Sequence, residues 1–194
     1  MSSLDNREKL LLLAVARRTV IAAVESRPSD RELPAELSAL ECAGVFVTLR
    51  RCGRLRGCIG QIAVRQPAAE LVAYSARAAA LEDPRFEPIR KDELTEIEIE
   101  LSVLSPPEPI APERVEAGRH GLIVSRGFQR GVLLPQVATE HRWESLRFLE
   151  ETCVKAGLER DAWNDPQTQI LAFTAQVFSE SEIAGNVELK AHSL

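Results

Sequence analysis

The chain has 194 residues, 45% apolar and 27% charged, with a formal net charge of -5 at pH 7. That length supports a core without disulfide or metal staples, and the acidic balance argues against a general nucleic-acid coat while leaving a local basic patch open. Cys42, Cys52, Cys58 and Cys153 contain no CxxC pair; with no secretory signal and no membrane-length apolar run, a soluble cytoplasmic protein with reduced thiols is expected.

Apolar residues from Leu10 to Val24 recur at helical spacing and predict a first helix over about 5–26, with Asp5 as N-cap. Pro28 and Pro34 punctuate a polar connection. Gly44–Arg50 and Arg54–Ile59 then read as a hairpin turning at Arg51-Cys52-Gly53. Pro67 opens an alanine-rich second helix that ends near Leu81. Glu96–Val103 alternates cleanly and predicts a strand with its three glutamates on one face, either solvated or pairing with the hairpin arginines.

The four prolines between Ser105 and Pro112 require an extended connector. A second hairpin, Gly121–Ser125 and Arg130–Leu134, turns around Gly127. A third helix is predicted over about 139–156, stopped by Gly157, with Trp143, Leu146, Leu149, Cys153 and Ala156 on its buried face. Ile170–Phe178 reads as one long last strand, and 186–194 as a loose tail.

The halves echo each other. Gly44-Val-Phe-Val-Thr resembles Gly121-Leu-Ile-Val-Ser, and Arg56-Gly-Cys-Ile resembles Arg130-Gly-Val-Leu. This predicts one domain, 5–185, built by duplication of about 5–104 and 113–185. Val132 stands where the first copy has Cys58, so the hairpin does not itself demand a thiol.

Both hairpins are basic. No acidic residue lies between Cys42 and Ala69, where Arg50, Arg51, Arg54, Arg56 and Arg65 fall, nor between Ala117 and Thr139, where Arg119, His120, Arg126 and Arg130 fall. They either form an anion site or pair with nearby acids.

Leu55-Arg56-Gly57-Cys58-Ile59-Gly60 carries the most chemistry. On a regular strand Arg54, Arg56 and Cys58 share one face, with Leu55 and Ile59 turned into a core. A guanidinium beside a thiol favours the thiolate, making Cys58 a candidate nucleophile with Arg54 and Arg56 as anion contacts. Equally, Cys58 reads as a small buried hydrophobe with the arginines as a solvated rim. The two glycines allow a ligand or another chain to approach closely.

His120 is a candidate acid or base if the hairpins meet, or a structural hydrogen bonder. Asp83 and Arg85 orient Arg56 or a substrate, or form a loop ion pair under Phe86. Glu140 is a further candidate, beside His141, or simply sits favourably at a helix start. The histidines (His120, His141, His192) form no metal pattern, and no phosphate-binding glycine loop or serine-nucleophile elbow appears.

The hexapeptide resembles the signature of the AMMECR-domain family, the A component of the AmmeMemoRadiSam system. Asp83-Pro-Arg-Phe86, Gly118-Arg-His-Gly-Leu122, Leu134-Pro-Gln-Val-Ala138, Trp143, Lys155-Ala-Gly-Leu158 and Val177-Phe-Ser-Glu180 are similar to that family, in order. The resemblance implies an α+β fold in which two β-rich repeats and flanking helices share one barrel-like mixed sheet. It also implies association with a Memo-type protein and a radical-SAM enzyme, and a role in modifying a nucleotide or RNA base. The cofactor is left unknown.

Three functions follow as expectations. The first is a component binding or modifying an anionic substrate through the hairpin. The second is a noncatalytic adaptor for the two partner proteins, and whether the chain is an enzyme stays open between these. The third, RNA binding along phosphates, is weakened by an aromatic content of only 5%.

Overall fold

The computed structural model describes residues 3–28 and 33–183, so the tail 186–194 lies outside the described residues. The chain divides into two compact units, one from the start to Leu104 plus Gln176 onward, the other Ser105–Ala175.

In the first unit α1 (Asn6–Val24) begins at Asp5, whose carboxylate accepts from the Glu8 N–H while Glu8 accepts from the Asp5 N–H. This reciprocal capping box occupies backbone donors that a helix start leaves without partners. Leu12, Val15, Ala16, Thr19 and Val20 then fall on one buried stripe. The hairpin β1 (Glu41–Arg51) and β2 (Arg54–Pro67) is longer than its apolar run suggested. Cys52 and Gly53 both have positive φ (50° and 75°), as a two-residue type I′ turn requires.

α2 (Ala68–Leu81) follows at once, with Pro67 as its cap, and β3 (Ile97–Leu104) pairs antiparallel with β1. Val45, Val47 and Leu49 of β1 and Ile97, Ile99, Leu101 and Val103 of β3 alternate onto the buried face and join α1 and α2 in one core. Each such side chain contributes about 1.5–3 kcal/mol on full burial. Alanine at Ala76, Ala79 and Ala80 keeps α2 thin on its buried side, allowing the helix to lie close to the hairpin backbone.

The alternation read for the hexapeptide breaks at a bulge. Leu49 lies opposite Gly57 but Arg50 opposite Leu55, so β2 carries one extra residue at Arg56. The phase therefore shifts by one. Leu55 sits on the outward face beside Arg50, 39% exposed, rather than in the core, and Arg54 does not share the face of Cys58. Ile59 packs against the core as expected.

The second unit holds β4 (Glu108–Pro109), β5 (Gly121–Arg126), β6 (Gln129–Leu133), α3 (Pro135–His141), α4 (Ser145–Lys155) and β7 (Gln169–Phe173). Leu122, Val124, Phe148, Leu149, Cys153 and Ile170 form its core. The single helix expected over 139–156 is two. Arg142 adopts φ 54°, and its N–H and that of Trp143 close α3 on the Thr139 and Ala138 carbonyls before Glu144 caps α4. Restarting the helix shifts its register, so Phe148 and Thr152 are buried and Leu146 is 55% exposed.

The last strand is also divided. β7 stops before Thr174, and β8 (Ala175–Ser179) joins the other sheet. The orders are β2-β1-β3-β8 and β4-β7-β5-β6, two four-stranded sheets with antiparallel pairing. The fold is α+β as expected, but the shared barrel-like mixed sheet is not formed. Separating β7 from β8 gives each sheet two open edges and no closed barrel.

Candidate functional site

Cys58 lies on β2, the edge strand of the first sheet, opposite Thr48. An edge strand presents backbone groups that the sheet does not satisfy. Here the segment after α2 supplies side chains for them. The Cys58 N–H donates to Asp83 Oδ2 at 2.8 Å, and the Cys58 carbonyl accepts from Arg85 Nη2 at 3.1 Å. Pro84 between them fixes the turn.

Asp83 is 5% exposed and accepts from four donors. Besides Cys58, these are Arg85 Nη2 at 2.7 Å, Arg85 Nε at 2.9 Å and the Arg85 N–H at 3.1 Å. The Arg85 hydrogen bond, opposed by burial but aided by the backbone donors, holds the Asp83 carboxyl well below the usual carboxylate range. Arg85 is raised in turn, chiefly by its bond to Asp83 and, to a smaller degree, by the neighbouring Cys58 thiol.

The thiol itself accepts from Thr48 Oγ1 at 3.4 Å, and Cys58 is half-buried. Asp83→Asn should therefore turn one accepting oxygen into a donor facing a donor. We expect a loss of about 2–3 kcal/mol in urea unfolding together with faster exchange of the Cys58 amide.

Arg56, the extra residue of the bulge, is engaged elsewhere. Its Nε and Nη2 each donate to Glu93 at 2.9 Å, and Nη1 and Nη2 donate to the Glu87 and Pro88 carbonyls at 2.8 and 3.3 Å. Glu93 is 4% exposed and also accepts from Arg51 Nη1 at 3.1 Å and the Arg90 N–H at 2.9 Å. The Arg56 hydrogen bond, ahead of the smaller Arg90 and Arg51 contributions, brings Glu93 down to about 2 against the opposing effect of burial.

The acidic wall considered for the hairpin arginines exists in part. Arg51 Nε donates to Glu96 at 2.6 Å, and Arg50 lies 3.7 Å from Glu100. Arg54 is exposed and makes no ion pair among the described residues. The Arg65 side chain lies outside them.

The glycines of the hexapeptide are approached by the chain's own atoms. A Cβ on Gly57 would sit 2.2 Å from the Ala79 carbonyl oxygen, and one on Gly60 would sit 2.3 Å from the Phe46 ring.

His120 belongs to the second unit, where its Nδ1 accepts from the Glu116 N–H at 3.0 Å in a tight turn. Burial lowers its pKa, opposed by Glu116 and aided by Arg119 and Arg114. Glu140 is exposed on α3, and the neighbouring His141 stacks on Trp143 with ring centroids 4.5 Å apart. The structure thus gathers Cys58, Asp83 and Arg85 at one edge and directs Arg56 to Glu93.

Sequence reading missed Thr48 and Glu93. Thr48 was legible from hairpin pairing once the register was known. Lys91-Asp92-Glu93-Leu94 has no periodicity to show which acid turns inward. Among the described residues no group of three or more His, Cys, Asp or Glu could hold a metal, and no helix is long and apolar enough to cross a membrane.

These features define an α+β protein with a half-buried thiol at a sheet edge closed by an aspartate–arginine pair. Residues 13–178 match the family model AMMECR1. Protein Mbar_A1807 of Methanosarcina barkeri is 44% identical over 183 residues, covering 89% of this chain and 90% of its own. A protein of Aquifex aeolicus is 43% identical over 153 residues, 75% of this chain and 78% of its own. The crystal structure of the uncharacterised protein PH0010 from Pyrococcus horikoshii matches with a TM-score of 0.71 at 39% identity, over 89% of this chain and 91% of that one. The chain belongs to the AMMECR1 family.

Proposed function

We propose that the chain is the A component of an AmmeMemoRadiSam system, acting in the cytoplasm beside a Memo-type protein and a radical-SAM enzyme on an anionic substrate. A nucleotide or RNA base is the substrate class this reading favours. Cys58 is the reacting group. The observation that carries the reading is the arrangement around it: a half-buried thiol, a hydroxyl donating to it, and the exposed Arg85 guanidinium fixed at the same backbone position. Arg85, although paired with Asp83, keeps a guanidinium beside the thiol, where it holds an anionic group while a cysteine nucleophile reacts. Arg54 adds a charge with no ion-pair partner among the described residues at the hairpin tip. Within the second unit, His120 and Glu140 are proposed separately as acid–base candidates.

The internal duplication within 5–185 is part of this proposal. Its support is that Gly57 and Gly131, equivalent in the two repeats, each lie against helix backbone, at Ala79 in one case and at Lys155 and Ala156 in the other.

A noncatalytic adaptor is the second reading. It is favoured by one observation, that Arg56, Gly57 and Gly60 are all accounted for by packing and ion pairing within the chain. The two separate in a host lacking the gene, by profiling small molecules and RNA nucleosides after complementation. A species restored by the wild type but not by Cys58→Ser supports chemistry at the thiol. Full restoration by Cys58→Ser removes it and leaves the adaptor.

A further inference from the structure

Arg85 has five N–H groups, and three are engaged: Nε on Asp83 Oδ1, and Nη2 on both Asp83 Oδ2 and the Cys58 carbonyl. Nη1 donates to no oxygen among the described residues, the guanidinium also interacts with the Cys58 thiol, and 54% of the side chain is exposed. The guanidinium is thus anchored through a buried carboxylate and a strand carbonyl while two donors remain available. Its planar fork loses little freedom when it takes an anion, because it is already fixed.

The other arginines nearby do not combine these properties. Arg56 is committed through all three nitrogens, and Arg51 donates to Glu93 and Glu96. Arg50 faces Glu100. Arg54 has no anchor among the described residues and would have to be ordered by the ligand.

Resting on the reading of Cys58 as the reacting thiol, we propose that Arg85 is the specificity-determining residue of the site and that the substrate is a small electrophile bearing an oxyanion. Arg85 Nη1 binds the carboxylate or phosphate, and Cys58 Sγ attacks the electrophilic carbon. The Cys58 thiolate, its proton lost to solvent, forms the S–C bond, and the leaving group departs with the electron pair of the bond it breaks. Thr48 acts as a positioning residue, its hydroxyl fixing the direction of Sγ. The edge that closes the sheet is then also the part that selects the ligand.

Two alkylating probes of equal reach and different charge test this. With iodoacetate or iodoacetamide the C–I bond breaks, iodide leaves and a thioether remains on Cys58. Rates are read at Cys58 by peptide mass spectrometry, against an unstructured cysteine peptide in the same tube. The ratio of the anionic to the neutral rate should exceed the peptide's by about tenfold at Cys58. It should fall to the peptide's value in Arg85→Gln and be partly retained in Arg85→Lys.

At matched ionic strength, protection of Cys58 by inorganic phosphate but not acetate assigns a phosphate-bearing substrate, and the reverse assigns a carboxylate. A ratio unchanged in folded Arg85→Gln overturns the role of Arg85. Should that variant fail to fold, absence of both anionic preference and protection in the wild type overturns it equally. The underlying reading fails separately, if Cys58 reacts with neither probe until the protein unfolds.

Discussion

Gly57→Ala is expected to prevent folding. The new Cβ would lie 2.2 Å from the Ala79 carbonyl oxygen and 3.2 Å from its carbon, and no side-chain rotation can relieve a contact with backbone. Either the C-terminal turn of α2 lifts from the hairpin or β2 moves away from Leu49, and both open the first unit's core. Overpacking of a side-chain cavity costs about 1–3 kcal/mol, and a backbone collision belongs at or beyond the top of that range.

The contrast within the same hairpin is Gly53→Ala. There nothing lies within 4 Å and only the positive φ of 75° is strained, so a loss of about 1 kcal/mol is expected. Urea unfolding of the two variants, with solubility on expression, decides the matter. Gly57→Ala as stable as Gly53→Ala would show that α2 does not press on the hairpin, removing the packing account of the hexapeptide.

Periodicity disclosed α1 and β3, because each buries one regular face, while α2 followed from Pro67 and its alanines and the turn from Gly53 between two strand-like runs. The bulge at Arg56 did not show. Nothing in Leu55-Arg56-Gly57 signals an inserted residue, yet it reverses which neighbours of Cys58 share its face.

The division at Arg142 was hidden for a similar reason. The span from Thr139 to Ala156 fits one helix on paper, and it is interrupted by the left-handed Arg142 and the extended Glu144. At the site, the association of Cys58 with Asp83 and Arg85 depends on a tertiary crossing, the return of the chain from α2 along the edge of β2. Residue types marked all three as candidates. Spacing could not show that Arg85, rather than Arg56, stands at the thiol's backbone.

Glu93→Ala should be the most damaging change outside the glycines. It removes the carboxylate that takes two bonds from Arg56 and one each from Arg51 and the Arg90 N–H. The Arg56 side chain is only 17% exposed, so it would remain largely desolvated without its counter-charge. Breaking such a pair from one side costs about 3–5 kcal/mol, whereas replacing both partners by apolar groups is far milder. Arg56→Met with Glu93→Leu should therefore recover much of what Glu93→Ala loses.

Acid titration gives an independent reading. Folding lowers the Glu93 pKa from an ordinary 4.5 to about 2, so the unfolded chain takes up the proton first as pH falls. Its contribution is complete above about pH 4.5 and declines as pH falls towards 2. Asp83, also lowered, adds to acid sensitivity in the same direction. Glu93→Gln should lower stability at pH 7 and flatten its dependence on pH across this window, leaving the Asp83 contribution. An undiminished slope in Glu93→Gln would mean that Glu93 does not hold its charge against Arg56, and the bulge would then be fixed by the Glu87 and Pro88 carbonyls alone.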